Sequence, residues 1–140
     1  MDNDMKSFEY WFDFGSPAAY LAFTQLQKLE ADTNSKAVYR PMLLGGVFQA
    51  TGNQSPASVP AKGAYTFKDF DRFAKRYGVP FNSNPYFPIN TLLLMRGAIG
   101  MQQKEPERFL VYCKAVFQAI WVEALNMNDP ATVGAVLHNA

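Results

Sequence analysis

Phe8-Glu-Tyr-Trp-Phe-Asp-Phe14, followed by Gly15-Ser16-Pro17, is the stretch that decides the fold. Phe8, Tyr10, Phe12 and Phe14 alternate with Glu9, Trp11 and Asp13, so one face is aromatic and the other mixed. Period two with aromatic enrichment predicts a strand. At Gly15 the period changes. Ser16 is a good N-cap and Pro17 a good first helical residue, since proline has no N–H to leave unpaired there. Ala19, Ala22, Phe23, Leu26 and Leu29 then line one face, predicting a helix to about Glu30. Asp32-Thr33-Asn34-Ser35 reads as a turn. Ala37 to Met42 reads as a second strand, which Pro41 places at an end or an edge. A β-α-β opening sets two parallel strands side by side with a right-handed crossover.

The remainder reads as mainly helical. Gly45 to Pro60 is predicted as a loop with one helical turn at Val47–Ala50, because Gly52-Asn-Gln-Ser-Pro56 cannot continue a helix. Phe70, Phe73, Ala74 and Tyr77 form a stripe that stops at Gly78. Gly78 to Pro88 is a Pro- and Asn-rich connection. Asn90 caps a helix to about Gln103. Pro106 opens another, with a stripe from Phe109 through Cys113, Phe117 and Trp121 to Ala124. Asp129-Pro130 begins a last helix. No strong strand signal follows Met42, and a two-stranded sheet is marginal alone. The expectation is a fragment, or a sheet completed by another chain. Residues 1–60 form the N-terminal half with its loop, and residues 61–140 a helical part.

Composition narrows the chemistry. The 140 residues are 49% hydrophobic and 15% aromatic, enough to fill a core and too apolar for disorder. Thirteen Lys and Arg against twelve Asp and Glu give a formal +1, with no pull toward nucleic acid or anionic lipid. One cysteine excludes an internal disulfide, a Cys-x-x-Cys pair and a multi-thiolate zinc site. One histidine, His138, argues against a His metal cluster or a His-dependent triad. An enzyme built on this chain borrows its reactive group. The acidic start Met1-Asp-Asn-Asp-Met-Lys6 does not read as a secretory signal. The uncharged runs Pro41–Ala61 and Tyr77–Met95 are broken by Gly, Pro and Asn, so neither reads as a membrane span. A cytoplasmic protein is expected.

Ser16 stands where a strand turns into a helix. The first amides of a helix lack internal partners and carry partial positive charge, which stabilises an anion such as a thiolate, and a hydroxyl there can donate to it. The competing reading is that Ser16 only caps the helix. Asn53 could orient a ligand through its paired donor and acceptor, or could be an ordinary turn residue. Lys62, with Lys68, Arg72, Lys75 and Arg76 among Asp69 and Asp71, reads as a solvated helix face. Cys113 falls on an apolar stripe, where cysteine behaves as a small hydrophobe. Trp121 lies on the same stripe. His138 has no visible partner.

The set is more specific than its members. Phe12-Asp-Phe-Gly-Ser-Pro-Ala-Ala-Tyr-Leu21 resembles the opening of the kappa-class glutathione transferases and the related 2-hydroxychromene-2-carboxylate isomerases. These belong to the thioredoxin-like superfamily, in the branch with a DsbA-like helical insertion. The resemblance continues through Arg40-Pro-Met-Leu-Leu-Gly45, Gly52-Asn-Gln-Ser-Pro56, Val59-Pro-Ala-Lys-Gly-Ala-Tyr65, Tyr77-Gly-Val-Pro80 and Ala115-Val-Phe-Gln-Ala-Ile-Trp-Val-Glu123. It spans about Phe8 to Pro130.

The resemblance implies an α/β fold: a thioredoxin-like β-α-β start, a large all-helical insertion, and a C-terminal β-β-α half that is absent from this chain. It implies glutathione as cofactor. Ser16 matches the family's active-site serine, whose hydroxyl favours the glutathione thiolate. Pro17 and Ala18 match positions beside the sulfur, and Asn53 matches a residue that contacts glutathione. Lys62 and Trp121 are candidate substrate contacts, with the aromatic loop Phe81–Phe87 as a further wall and core packing the competing role for Trp121. The implied reaction is isomerisation of an aromatic-degradation intermediate by reversible thiolate addition, with glutathione regenerated. A kappa-like transferase or peroxidase, or a truncated non-catalytic remnant, is the alternative. Disulfide exchange is disfavoured, since Ser16 replaces the redox thiol. Two departures stand out. Ala18 replaces an aromatic residue common in relatives, and the family's C-terminal cis-proline loop and Ser-Asp turn do not occur before Ala140. An incomplete sheet edge invites association, and a homodimer is expected.

Overall fold

A computed structural model describes residues 5–140; the acidic start Met1–Asp4 lies outside them. The opening forms as its periodicity requires. Strand β1 (Lys6–Phe12) pairs in parallel with β2 (Ser35–Pro41), Lys6 opposite Ser35 and Phe12 opposite Pro41. Helix α1 (Pro17–Thr33) makes the crossover. Ser16 is extended, and its Oγ accepts the Ala19 N–H at 3.2 Å. The helix runs three residues past its predicted end and stops at Asn34, whose left-handed backbone (φ 49°) suits an asparagine.

Besides an N-cap at Thr91 in place of the expected Asn90, the helical part departs from the sequence reading at three points. Leu44–Thr51 is a full helix, α2, where a loop with one turn was expected. Pro60–Tyr77 is a single helix, α3, beginning ten residues before the apolar stripe and ending at Gly78, φ 68°. Helix α5 (Phe109–Trp121) follows α4 (Leu92–Lys104) and a 3-10 turn at Pro106–Arg108, and it ends at Trp121 instead of Ala124. Ala124 turns the chain back with φ 55°. Helix α6 (Pro130–His138) starts as predicted, the Asp129 carboxylate accepting from Ala131 N–H. A 3-10 turn at Pro56–Ser58 leads into α3. Among the described residues there is no third strand, and no helix is long and apolar enough to cross a membrane.

One core serves both stretches on either side of residue 60. Tyr10 and Phe12 from β1, with Phe14 just beyond it, meet Phe117 and Trp121 of α5. The Phe14 and Phe117 rings lie edge to face at 4.9 Å, and Phe23 of α1 reaches Phe117 at 5.0 Å. Each fully buried ring of this kind contributes about 1.5–3 kcal/mol from burial. The other face of β1 is open. Trp11 there is 56% exposed, and Glu9 pairs with Arg40 at 3.3 Å.

Asp13 corrects the alternation argument. Period two sets it beside Glu9 and Trp11, facing outward. β1 stops at Phe12, the chain bends, and Asp13 turns inward to 4% exposure.

Candidate active site

Pro17 has no N–H, Ser16 Oγ takes that of Ala19, and Tyr20 N–H bonds Ser16 C=O. Ala18 N–H is therefore the unpaired donor of the first turn of α1 among the described residues. Ser16 is half-buried. Its oxygen accepts, and its own hydroxyl proton meets no acceptor among the described residues.

The buried Asp13 carboxylate builds the surroundings of Ser16. Its Oδ1 accepts Gly15 N–H at 2.9 Å and the Thr91 hydroxyl at 2.6 Å, and its Oδ2 accepts Leu44 N–H at 2.9 Å. Gly15 leads into α1, Leu44 is the first residue of α2, and Thr91 is the N-cap of α4. Three helix starts therefore converge on one carboxylate. A side chain at Gly15 would press on both Thr91 and Asp13. Asp13 is not among the site residues expected from the sequence. A polar residue directly before a Gly-Ser-Pro turn was the available signal.

These starts surround a cavity of about 600 Å3, within the range of about 300–1,000 Å3 typical of ligand sites. Ser16, Pro17 and Ala18 line it, as do Asp13 and Thr91. Phe48 of α2, Phe67 and Phe70 of α3, and Phe87 give it aromatic walls. The Phe67 and Phe87 rings meet edge to face at 5.8 Å. Phe87 and Pro88 are joined by a cis peptide. This proline lies in the helical part, apart from the C-terminal cis-proline loop that the resemblance implies. Asn84, buried, holds the preceding loop: its Nδ2 donates to Ile120 and Leu125 carbonyls at 3.0 and 2.9 Å, and its Oδ1 accepts Tyr86 N–H at 2.8 Å.

The other sequence candidates are placed differently. Asn53 is exposed beyond α2, and its Oδ1 accepts Gln54 N–H at 2.9 Å. It does not line the cavity. Nor does Lys62, exposed in the first turn of α3, although its neighbour Gly63 does. Trp121 is corrected as a substrate contact. It is fully buried, donates Nε1–H to Phe14 C=O at 2.9 Å, and packs behind Phe87 at 5.9 Å. It supports the wall from one layer behind. Phe81 is likewise engaged inside, stacked on Trp121. Cys113 is buried, and burial pushes its thiol up from its ordinary 9.0 to about 12, so it is no nucleophile at neutral pH.

A DSBA-like thioredoxin domain model matches residues 8–140. Glutathione S-transferase kappa 1 of Caenorhabditis elegans is 29% identical over 119 residues, which are 81% of this chain and 53% of that protein. The 2-hydroxychromene-2-carboxylate isomerase of Pseudomonas putida is 33% identical over 120 residues, 84% of this chain and 57% of that protein. A solved structure of 2-hydroxychromene-2-carboxylate isomerase matches with a TM-score of 0.80 at 27% identity, over 95% of this chain and 64% of that one. The chain spans about half the length of the curated relatives it matches.

Proposed function

This chain belongs to the DSBA-like thioredoxin domain family, and from that membership we propose that it acts as a glutathione-dependent isomerase of the 2-hydroxychromene-2-carboxylate type. The observation that carries the reading is Ser16: a hydroxyl at the start of α1, on the wall of an aromatic-lined cavity. The donor set fits a sulfur anion, because a free O–H and the free Ala18 N–H share one helix start. Bound glutathione supplies the thiol nucleophile.

The chain's own residues do the rest. Ser16 donates its hydroxyl to the sulfur and so favours the charged form. Pro17 and Ala18 bring the backbone close, and Ala18 N–H is the second donor. Asn53 and Lys62 lie outside the cavity lining, and this reading gives them no contact with the sulfur. Phe67, Phe70 and Phe87 stack on a small aromatic substrate and keep water from the sulfur. A serine in place of a redox thiol, with the only cysteine buried, supports thiol addition over disulfide exchange. The reading includes a homodimer in the cytoplasm.

The test uses the 140-residue chain with substoichiometric glutathione and 2-hydroxychromene-2-carboxylate, followed by absorbance, alongside calorimetric titration of glutathione. Expected are turnover past one equivalent without loss of thiol, and a fall of about ten- to hundredfold in Ser16→Ala, the cost of a charge-assisted hydrogen bond of about 1.5–3 kcal/mol. Consumption of one thiol per product would make it a transferase. Absence of glutathione binding at millimolar concentration would make it a non-catalytic remnant.

A further inference from the structure

A second concavity, of about 480 Å3, runs between α1 and α5 and shares no lining residue with the Ser16 cavity. Its apolar surface comes from Phe23 of α1, Tyr39 of β2 and Phe117 of α5. Leu110 and Val111 lie on its rim, 44% and 52% exposed. Helix α5 is apolar nearly all round, Phe-Leu-Val-Tyr-Cys-Lys-Ala-Val-Phe-Gln-Ala-Ile-Trp. Such helices are normally covered on every side. Here the core takes Tyr112, Cys113 and Val116, and leaves Leu110 and Val111 to solvent.

The polar groups of this groove select what covers them. Lys114 follows Val111 by one turn, and Gln118 follows Lys114 by another. Thr24 and Gln27 stand across on α1. No acidic residue lines the groove, and Lys114 has no ion-pair partner among the described residues. One cation beside an apolar surface, with neutral amides nearby, is complementary to an apolar body bearing one negative head. A two-fold contact over this patch would bring Lys114 toward its own counterpart.

We propose that the groove between α1 and α5 binds an amphipathic monocarboxylate, its carboxylate on Lys114 and its apolar body over Phe23, Tyr39, Leu110 and Val111. The amides of Gln27 and Gln118 are within the same lining to donate to the remaining carboxylate oxygen. The cation and the apolar surface act together. Removing the charge weakens binding, and placing a negative charge at Val111 blocks it.

The probe is dodecanoate, kept below micelle formation and titrated into the uniformly 15N-labelled chain. Expected are saturable one-to-one binding and amide shifts concentrated in residues 20–27 and 110–118. Lys114→Gln should weaken binding about tenfold, as loss of a charge-assisted contact does, and Val111→Asp should abolish it. Both positions are exposed, and unchanged far-UV circular dichroism checks that both variants fold. Dodecanol binding as tightly as dodecanoate would overturn the proposal. So would shifts centred on Phe67 and Phe70, or shifts at 110–118 that depend on protein concentration alone and report a second copy.

Discussion

The Thr91 hydroxyl donates to Asp13 Oδ1 at 2.6 Å, joining two buried residues 78 positions apart in sequence. That bond ties the start of α4 to the turn that carries Ser16. Thr91→Val removes one of three donors from a buried carboxylate and should cost about 1–3 kcal/mol in urea unfolding. Thr91→Ser should recover most of it. Asp13→Ala frees all three donors and should cost about 3 kcal/mol or more. Hydrogen exchange should speed up at Leu44 N–H in that variant. Unchanged exchange there would mean the carboxylate does not hold α2.

Gly97 of α4 faces Tyr112 of α5 so closely that an added Cβ would overlap the phenol oxygen. That oxygen donates to Leu94 C=O at 2.7 Å. Gly97→Ala should therefore destabilise by about 1–3 kcal/mol, as overpacking does, despite alanine's better helix propensity. In the Gly97→Ala/Tyr112→Phe double variant the two costs should sum to less than their separate values, since the clashing atom is gone. Simple additivity in urea melts would count against the contact.

Burial raises Cys113 from 9.0 to about 12 and Tyr39 from 10.0 to about 12. The unfolded chain loses these protons first as pH rises. The stabilising contribution is thus complete below pH 9 and falls away between about pH 9 and 12. Urea midpoints should decline over that window, and less steeply in Cys113→Ala. Below pH 9 a thiol reagent should label Cys113 only at the rate of unfolding.

Asn84 donates to two carbonyls near the end of α5. Asn84→Asp replaces the donor by an acceptor facing both, so its acid should titrate above the unfolded value in the folded state. The variant should be least stable at neutral pH and above, and should regain stability as pH falls from the raised folded value to the ordinary carboxylate value, the recovery being complete below it. Flat pH dependence in parallel melts of the variant and the parent would refute this.

Local causes were legible in the sequence. Ser16-Pro17, Gly78 and Asp129-Pro130 cap or end helices through their own neighbours, and each does so in the structure. Distant causes were not. The run Gly52-Asn-Gln-Ser-Pro56 makes Gly45–Pro60 read as a loop with one helical turn. The helix starts at Leu44 because a carboxylate 31 residues earlier accepts its first N–H. Val59 offers no side-chain cap for α3, and the residues before Phe67 are mostly exposed, so no stripe marks its first turns. At the site, Ser16, Pro17 and Ala18 are sequence neighbours that line one cavity together, whereas Phe48, Phe67 and Phe87 converge on it only through packing.

The two tryptophans have opposite surroundings: Trp11 lies open on the outer face of the sheet, and Trp121 is sealed beneath Phe14. The molecule thus carries a matched pair of optical reporters. Trp11 emission should be red-shifted and readily quenched by iodide, and Trp121 emission blue-shifted and silent to the quencher. Each can be isolated by Trp11→Phe or Trp121→Phe. Anything that settles on the open sheet face should be seen by the first alone, and loss of the core by the second.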